Sequence, residues 1–438
     1  MPPLIFLATP MLVGQAGQVV IQITDTVMVG RLGSVELAGA ALAGNFIMVA
    51  MYFAYGSLGA VSPHIAQAFG ANDTMGAGNC ARAGLLLAVC IGLIISIGLS
   101  ALVVVLDRMG QPPEVVAITG SYLTLLAWSM PGVLISLVLG QTAEALNHPW
   151  PVVVFMAGAI VLNAALNLLL IFGLWGLPAL GLEGAGLATL IARWAQALAM
   201  ALWIWRSSVM EKFGVFARKV DFVLFRRLFH DGLPIAAQDV LEGGAFALGS
   251  IMLGWVGTSA MAANQVAISI ASLAWMFPVA LSMAAGVRVA QNMGAGDRTA
   301  ARLSGISAVV LGVGLMAVCA GFYICAGYWL ARVFTTDPEV ARLAGFLVVI
   351  AGVYQISDAI QSISLGSLRG LLDNRIPMIA NAVCYWVLSL PTVYLLTFPL
   401  GMGAAGVWLG YLPWMVLTGI FFLWRFLRKT NPASPAEV

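Results

Sequence analysis

Stretches of about twenty consecutive apolar residues recur through this 438-residue chain from end to end, and few folds can absorb them. As a helix, each is long enough to cross roughly 30 Å of hydrocarbon. Twelve are counted, near 4–29, 40–66, 80–106, 114–141, 150–173, 184–206, 232–254, 262–288, 303–332, 340–368, 376–399 and 404–426. Hydrophobic residues make up 61% of the chain and charged residues only 9%, whereas soluble domains carry roughly a quarter charged. Mean hydropathy is +0.99. Strands of a membrane barrel alternate in polarity and would not run uniformly apolar, so the spans read as helices. The fold class expected is an all-α polytopic membrane protein of 12 transmembrane helices.

The placement of charge sets the topology. With both termini cytoplasmic, the cytoplasmic connections and the C-terminal tail hold 15 of the 20 Lys and Arg residues, and the opposite face holds Arg31, Arg108, Arg332 and Arg342. The positive-inside rule therefore predicts both ends inside an inner (cell) membrane. Arg206, Lys212, Arg218, Lys219, Arg226 and Arg227 crowd the longest loop, which reads as a topology signal and a solvated linker rather than a nucleic-acid site. No cleavable signal peptide is expected, since no basic leader precedes the first apolar segment.

The chain is a duplication. At a shift of 224, Pro10, Gly30, Gly33 and Ala38 meet Pro234, Gly254, Gly257 and Ala262, and Gly70, Ala71 and Asp73 meet Gly294, Ala295 and Asp297. At 226, Leu139 through Asn147 meet Leu365 through Asp373; at 220, Gly181, Gly186 and Trp194 meet Gly401, Gly406 and Trp414. Two six-helix repeats follow, related by a pseudo-two-fold axis along the membrane normal. The expected organisation is an N-terminal bundle 1–206, a basic cytoplasmic linker 207–231, a C-terminal bundle 232–427 and a cytoplasmic tail 428–438. Transporters built this way place the substrate between repeats and move one against the other.

Against that scaffold stand three carboxylates, Asp25, Glu242 and Asp358, each inside an apolar segment, where a charge costs several kcal/mol. Their repeat partners are Gly249, Gln18 and Gly132, so none belongs to the shared framework. Among basic residues, only Arg193 falls clearly inside an apolar stretch, well away from its ends. An acidic, largely unpaired interior suits the handling of cations.

Helix one carries Gln15, Gln18, Gln22 and Asp25 at spacings of three, four and three, which is one helical face. Such a stripe either glues helices together or leads along a wet cavity to an ionisable group. Helix seven places Gln238, Asp239 and Glu242 on one face. Two carboxylates one turn apart repel when both ionise, so one of them holds a proton or a cation, unless Asp239 is simply solvated nearer the membrane edge. Helix ten puts Tyr354, Asp358 and Gln361 together, with Ser357 and Ser362 beside them. Glu242 and Asp358 can supply oxygens to Na⁺, or one can carry a transported proton; hard oxygen donors serve both, and packing by hydroxyls is the bland alternative. Asn163 and Asn167, one turn apart, line the first half's cavity or bridge helices. His64 and His148 fall near helix ends and read as interfacial.

No phosphate-binding P-loop, HExxH or GxSxG occurs, so the chain is not expected to be an enzyme, to bind a cofactor or to bind nucleic acid. Energy must then come from an ion gradient.

At these residues the chain resembles the multidrug and toxic compound extrusion (MATE) family, in its NorM-like branch. The matching stretches are Asp25-Thr26-Val27-Met28-Val29-Gly30, Pro234 to Glu242, and Asp358-Ala359-Ile360-Gln361 running to Leu368-Arg369-Gly370. The resemblance implies antiport of cationic amphiphilic compounds against H⁺ or Na⁺ by alternating access, in a V-shaped pair of bundles around a large cavity, and a monomer in the lipid bilayer. It assigns protonation and drug release to Asp25, with Gln18 and Gln22 beside it, and the cation site to Glu242 and Asp358. Two departures stand out. Asp239 adds an acid outside the family's motif, which is expected in the cation-binding set with Glu242 and Asp358 and can change ion choice or stoichiometry; and only nine residues precede Pro10, which reads as a shortened N-terminal lead. The alternative is a flippase of lipid-linked precursors in the same superfamily, whose anionic substrates would call for Arg or Lys in the cavity.

Overall fold

The computed structural model describes residues 2–174, 178–217 and 219–432, without the side chains of Pro2, Pro3 and Gln22. The side chain of Gln22, expected on the polar face of the first helix, and Arg218 of the basic loop therefore lie outside the described residues. Among the described residues, twelve helices are long and apolar enough to cross a membrane. They are α1 Leu4–Gly30, α2 Ser34–Gly70, α3 Thr74–Val103, α4 Pro113–Ala145, α5 Trp150–Phe172 and α6 Gly181–Arg206. The second six are α7 Phe222–Val256, α8 Thr258–Gly294, α9 Arg298–Phe334, α10 Pro338–Gly370, α11 Arg375–Thr397 and α12 Gly403–Lys429. No strand occurs among the described residues.

Local chemistry repeats at corresponding helix starts. Asp73 caps α3 by accepting from the Gly76 N–H at 2.8 Å, and Asp297 caps α9 by accepting from the Ala300 N–H at 2.8 Å. Pro113 and Pro338 open α4 and α10, where a missing N–H costs nothing. Gly33 and Gly257, between the first two helices of each half, have φ of 158° and 145° with extended ψ. Only glycine enters that region cheaply, which is why both halves carry it there.

These landmarks also correct the repeat register. Pro113 and Pro338 are 225 residues apart, as are Trp150 and Arg375 at the starts of α5 and α11. The sequence alignment used 226 there. Asp358 therefore answers to Val133 rather than Gly132, and Arg369 answers to Glu144. Gly181 and Gly403 open α6 and α12 with φ of 56° and 55°, a spacing of 222 instead of 220. Periodic apolar sequence slides by a residue or two at little cost, whereas helix caps do not.

By contacts the chain divides into two compact units, Val13–Ala236 and Met1–Leu12 with Ala237–Val438. Within the first unit, the opening turns of α7 seat against α2: a Cβ on Gly232 would run into the Ser57 carbonyl, and one on Gly56 into the Ala236 backbone. His64, expected at an interface, is buried there with its Nε2 3.0 Å from Asp231 Oδ2. The basic loop is docked by its apolar residues, while Arg206, Lys212, Lys219, Arg226 and Arg227 stay exposed. Met210, Phe213 and Val215 are buried, Phe213 meets Phe69 at 6.2 Å between ring centroids, and Arg82 donates to the Gly214 carbonyl. Apolar residues every few positions gave the loop something to bury, which its charge content obscured.

In the second unit, α11 changes winding between Val383 and Ser389, where it becomes a π-helix. Such segments commonly occur at functional sites because they re-aim side chains. This one carries Tyr385.

Candidate cation and substrate sites

In the first unit, α5 supplies Asn163 and Asn167 to the acid of α1. Asn167 donates from Nδ2 to Asp25 Oδ1 at 2.6 Å and to Asn163 Oδ1 at 3.3 Å. Asn163 in turn donates to the Thr189 hydroxyl of α6 at 3.4 Å. Both asparagines are buried, and Asn167 Oδ1 has no hydrogen-bond partner among the described residues. A buried amide oxygen beside a half-buried carboxylate is an unspent acceptor, which a cation or a proton-bearing group can use. Gln18 faces Arg193 of α6, whose Nη2 donates to Gln18 Oε1 at 3.2 Å. The amide stripe therefore ends in a chain of side-chain contacts linking α1, α5 and α6.

In the second unit, the two acids of α7 have different partners. Among the described residues Glu242 accepts from α11: Asn381 Nδ2 donates to Oε2 at 3.2 Å and Tyr385 OH donates to Oε1 at 3.3 Å. Gln361 of α10 orients both, donating from Nε2 to Asn381 Oδ1 and to the Tyr385 oxygen, each at 3.3 Å. The buried Asp358 accepts from Ser362 Oγ at 3.0 Å, and its Oδ2 has no hydrogen-bond partner among the described residues; nor does Gln361 Oε1. On α10, Asp358 lies one turn from both Tyr354 and Gln361. Tyr354 stands edge-on to Trp408 with 5.6 Å between ring centroids. Gln238 is buried with its Nε2 unpartnered. Phe246, Tyr385 and Tyr411 form an aromatic group at centroid distances of 5.2 to 6.4 Å.

Asp239 points elsewhere. Arg369 Nη2 lies 2.9 Å from its Oδ1, so this acid has a basic partner that the sequence reading did not give it. The arginine sits at the last turn of α10, outside the apolar run, and nothing in the linear pattern says which way it reaches.

The structure thus brings Asp25, Asn163 and Asn167 together in one unit, and Glu242, Asp358, Tyr354 and Gln361 in the other. Asn381, Tyr385, Thr189 and Arg369 were missed. Asn381 and Tyr385 lie four residues apart in an apolar span, which is a polar pair on one helical face and a signal that was there to be read.

The family model described as MatE matches residues 10–169 and again 234–395. The two matches begin 224 residues apart, the spacing of the sequence duplication. The chain belongs to the MatE family. It is 36% identical over 416 residues to a probable multidrug resistance protein NorM of Bradyrhizobium diazoefficiens, covering 92% of this chain and 88% of that one. To the multidrug resistance protein NorM of Burkholderia vietnamiensis it is 34% identical over 431 residues, with 97% and 93% covered. The fold matches the eukaryotic MATE transporter AtDTX14 with a TM-score of 0.87 at 23% identity, covering 98% of this chain and 96% of that one. It also matches an outward-facing multidrug resistance MATE family transporter at 0.89 and 19% identity, covering 99% and 96%.

Proposed function

We propose that this MatE-family chain is a secondary active multidrug exporter, expelling cationic amphiphilic compounds in exchange for H⁺ or Na⁺ by alternating access. The observation that carries the reading is the pairing of carboxylates with unspent oxygens: Asp358 Oδ2 and Gln361 Oε1 in one unit, Asn167 Oδ1 beside Asp25 in the other. Buried polar atoms are nearly always satisfied, so orphaned acceptors clustered on carboxylates mark places built for a visiting cation or proton. Glu242 and Asp358 form the coupling-ion site, oriented by Tyr385, Asn381 and Gln361. Asp25, with Gln18 and Gln22 on its face, couples protonation to substrate release, and Asn163 and Asn167 support it. Tyr354 and Gln238 complete the lining.

The bundles 1–206 and 232–427, joined by 207–231, are the moving bodies of this scheme. Multi-span helical proteins belong in the cytoplasmic membrane, with the Lys- and Arg-rich connections and both termini inside. A flippase for anionic lipids is disfavoured, because Arg193 and Arg369 each face a side-chain acceptor of their own unit. The test is purified protein in liposomes with an imposed pH or Na⁺ gradient. Gradient-driven movement of ethidium supports the reading, and its absence under both gradients overturns it.

A further inference from the structure

Asp239 has no part in that scheme, yet it lies one helical turn from Glu242 on the same face of α7. We propose that Asp239 is a positioning residue for ion coupling: it holds the Arg369 guanidinium away from Glu242, leaving the Glu242–Asp358 acids free for a transported cation. This rests on the assignment of those two acids as the coupling-ion site.

The geometry makes Arg369 a resident competitor. It is bonded to Asp239, which lies one helical turn from Glu242. Among the described residues its side chain makes one hydrogen bond, Nη2 to Asp239 Oδ1 at 2.9 Å, and its buried Nε has no partner. A guanidinium carries five donors in a rigid fork, so Asp239 engages only part of it. Glu242, by contrast, accepts among the described residues from the neutral donors Asn381 and Tyr385, at 3.2 and 3.3 Å. Bonds from a charged donor are shorter and roughly twice as strong as neutral ones. With the charge of Asp239 removed, the nearest carboxylate one turn along is the better acceptor, and the fork turns to it.

Arg369 cannot retreat. Its neighbour Gly370 closes α10 directly on the Gly286 carbonyl of α8, with no room for a Cβ. The backbone is pinned there, so only the side chain swings. Nor is the pair part of the repeated scaffold: its counterparts in the first half are Gln15 and Glu144, which form no such ion pair. The device was placed where the acids of α7 and α10 meet.

The experiment uses the full-length protein in proteoliposomes, measuring ethidium export against Na⁺ at fixed pH and against pH without Na⁺. Asp239→Asn should raise the half-saturating cation concentration about tenfold or more, as the guanidinium occupies the site. Asp239→Glu should restore it. The double variant Asp239→Asn/Arg369→Gln should return to within about threefold of wild type, although both members of the ion pair are gone. A bridge serving only to pack α7 on α10 would leave the double variant as impaired as the single. Overturning results are wild-type cation dependence in Asp239→Asn, or no recovery in the double variant. If Asp239→Asn does not insert, Arg369→Gln alone decides: it should need no more cation than wild type, and an increase of more than about threefold sinks the proposal. Glu242→Gln reports separately on the underlying site. Unchanged cation dependence there removes the coupling-site reading itself, and this proposal with it, whatever the variants at 239 do.

Discussion

Asn167 Nδ2 sits 2.6 Å from Asp25 Oδ1, fastening α5 to the acid that ends the amide stripe of α1. An amide nitrogen bonds an ionised carboxylate more strongly than a neutral one, so the contact loosens when Asp25 takes a proton. Protonation thus weakens two things together: the attraction of Asp25 for a cationic substrate and its hold on α5. Asp25→Asn fixes the side chain in its neutral form. Ethidium binding to the purified variant should fall about tenfold, and the pH dependence of export should flatten. A variant that binds the dye as tightly as wild type at both high and low pH would reduce Asp25 to a structural hydrogen-bonding residue.

Glu242 and Asp358 make the same argument for the ion. Glu242→Gln keeps an acceptor oxygen for Tyr385 but sets an N–H₂ against the Asn381 amide nitrogen, losing that one hydrogen bond; Gln18 occupies the repeat-related position in α1. Both Glu242→Gln and Asp358→Asn should therefore insert and melt near wild type, within about 1 kcal/mol. Gradient-driven export should drop to a few per cent of wild type or less. Export at the wild-type rate in either variant would show that coupling lies elsewhere.

Much of this was legible because membrane helices obey few rules. Twelve apolar runs, the 224-residue repeat and three acids in apolar surroundings follow from hydrocarbon thickness and the cost of burying charge. Those signals found Asp25, Glu242 and Asp358 and their on-face companions Tyr354 and Gln361. Partners on other helices were less accessible. Asn381 and Tyr385 reach Glu242 from four helices downstream, and Tyr385 is aimed by a change of winding that no propensity announces. Arg369 was visible as a residue but not as the partner of Asp239, because a long side chain at a helix end has many possible directions. The docked loop was hidden by its own charge, which dominates composition although Phe213 and Met210 decide the packing.

Tyr385 tests the nest directly. Its hydroxyl accepts from Gln361 and donates to Glu242, both at 3.3 Å, so removing it strands a donor and frees a carboxylate oxygen. Tyr385→Phe should cost about 1 kcal/mol of stability, the usual worth of a net hydrogen bond. Because the ring and its contacts with Phe246 and Tyr411 stay, the helix should keep its winding. Cation dependence should shift about three- to tenfold while maximal export changes less. If maximal export collapses and cation dependence is untouched, Tyr385 serves the conformational change rather than the ion.

The docked loop makes a prediction about stability alone. Phe213 is 3% exposed, its carbonyl lies where a Cβ on Gly78 would stand, and Arg82 bridges to Gly214 next along the loop. Phe213→Ala empties a site filled by an aromatic ring, a change that costs about 3–5 kcal/mol in a well-packed core and less where the surroundings collapse. Gly78→Ala acts from the other side: the added methyl meets backbone, which cannot rotate out of the way, so the loop must lift. Both variants should expose Lys212 and Lys219 to trypsin faster than wild type and lower the melting temperature. Neither touches the acids, so the cation dependence of export from surviving protein should be unchanged. Wild-type trypsin resistance in Gly78→Ala would mean that the loop tolerates displacement and that its packing contributes little. A shifted cation dependence in either variant would instead tie the loop to the transport cycle.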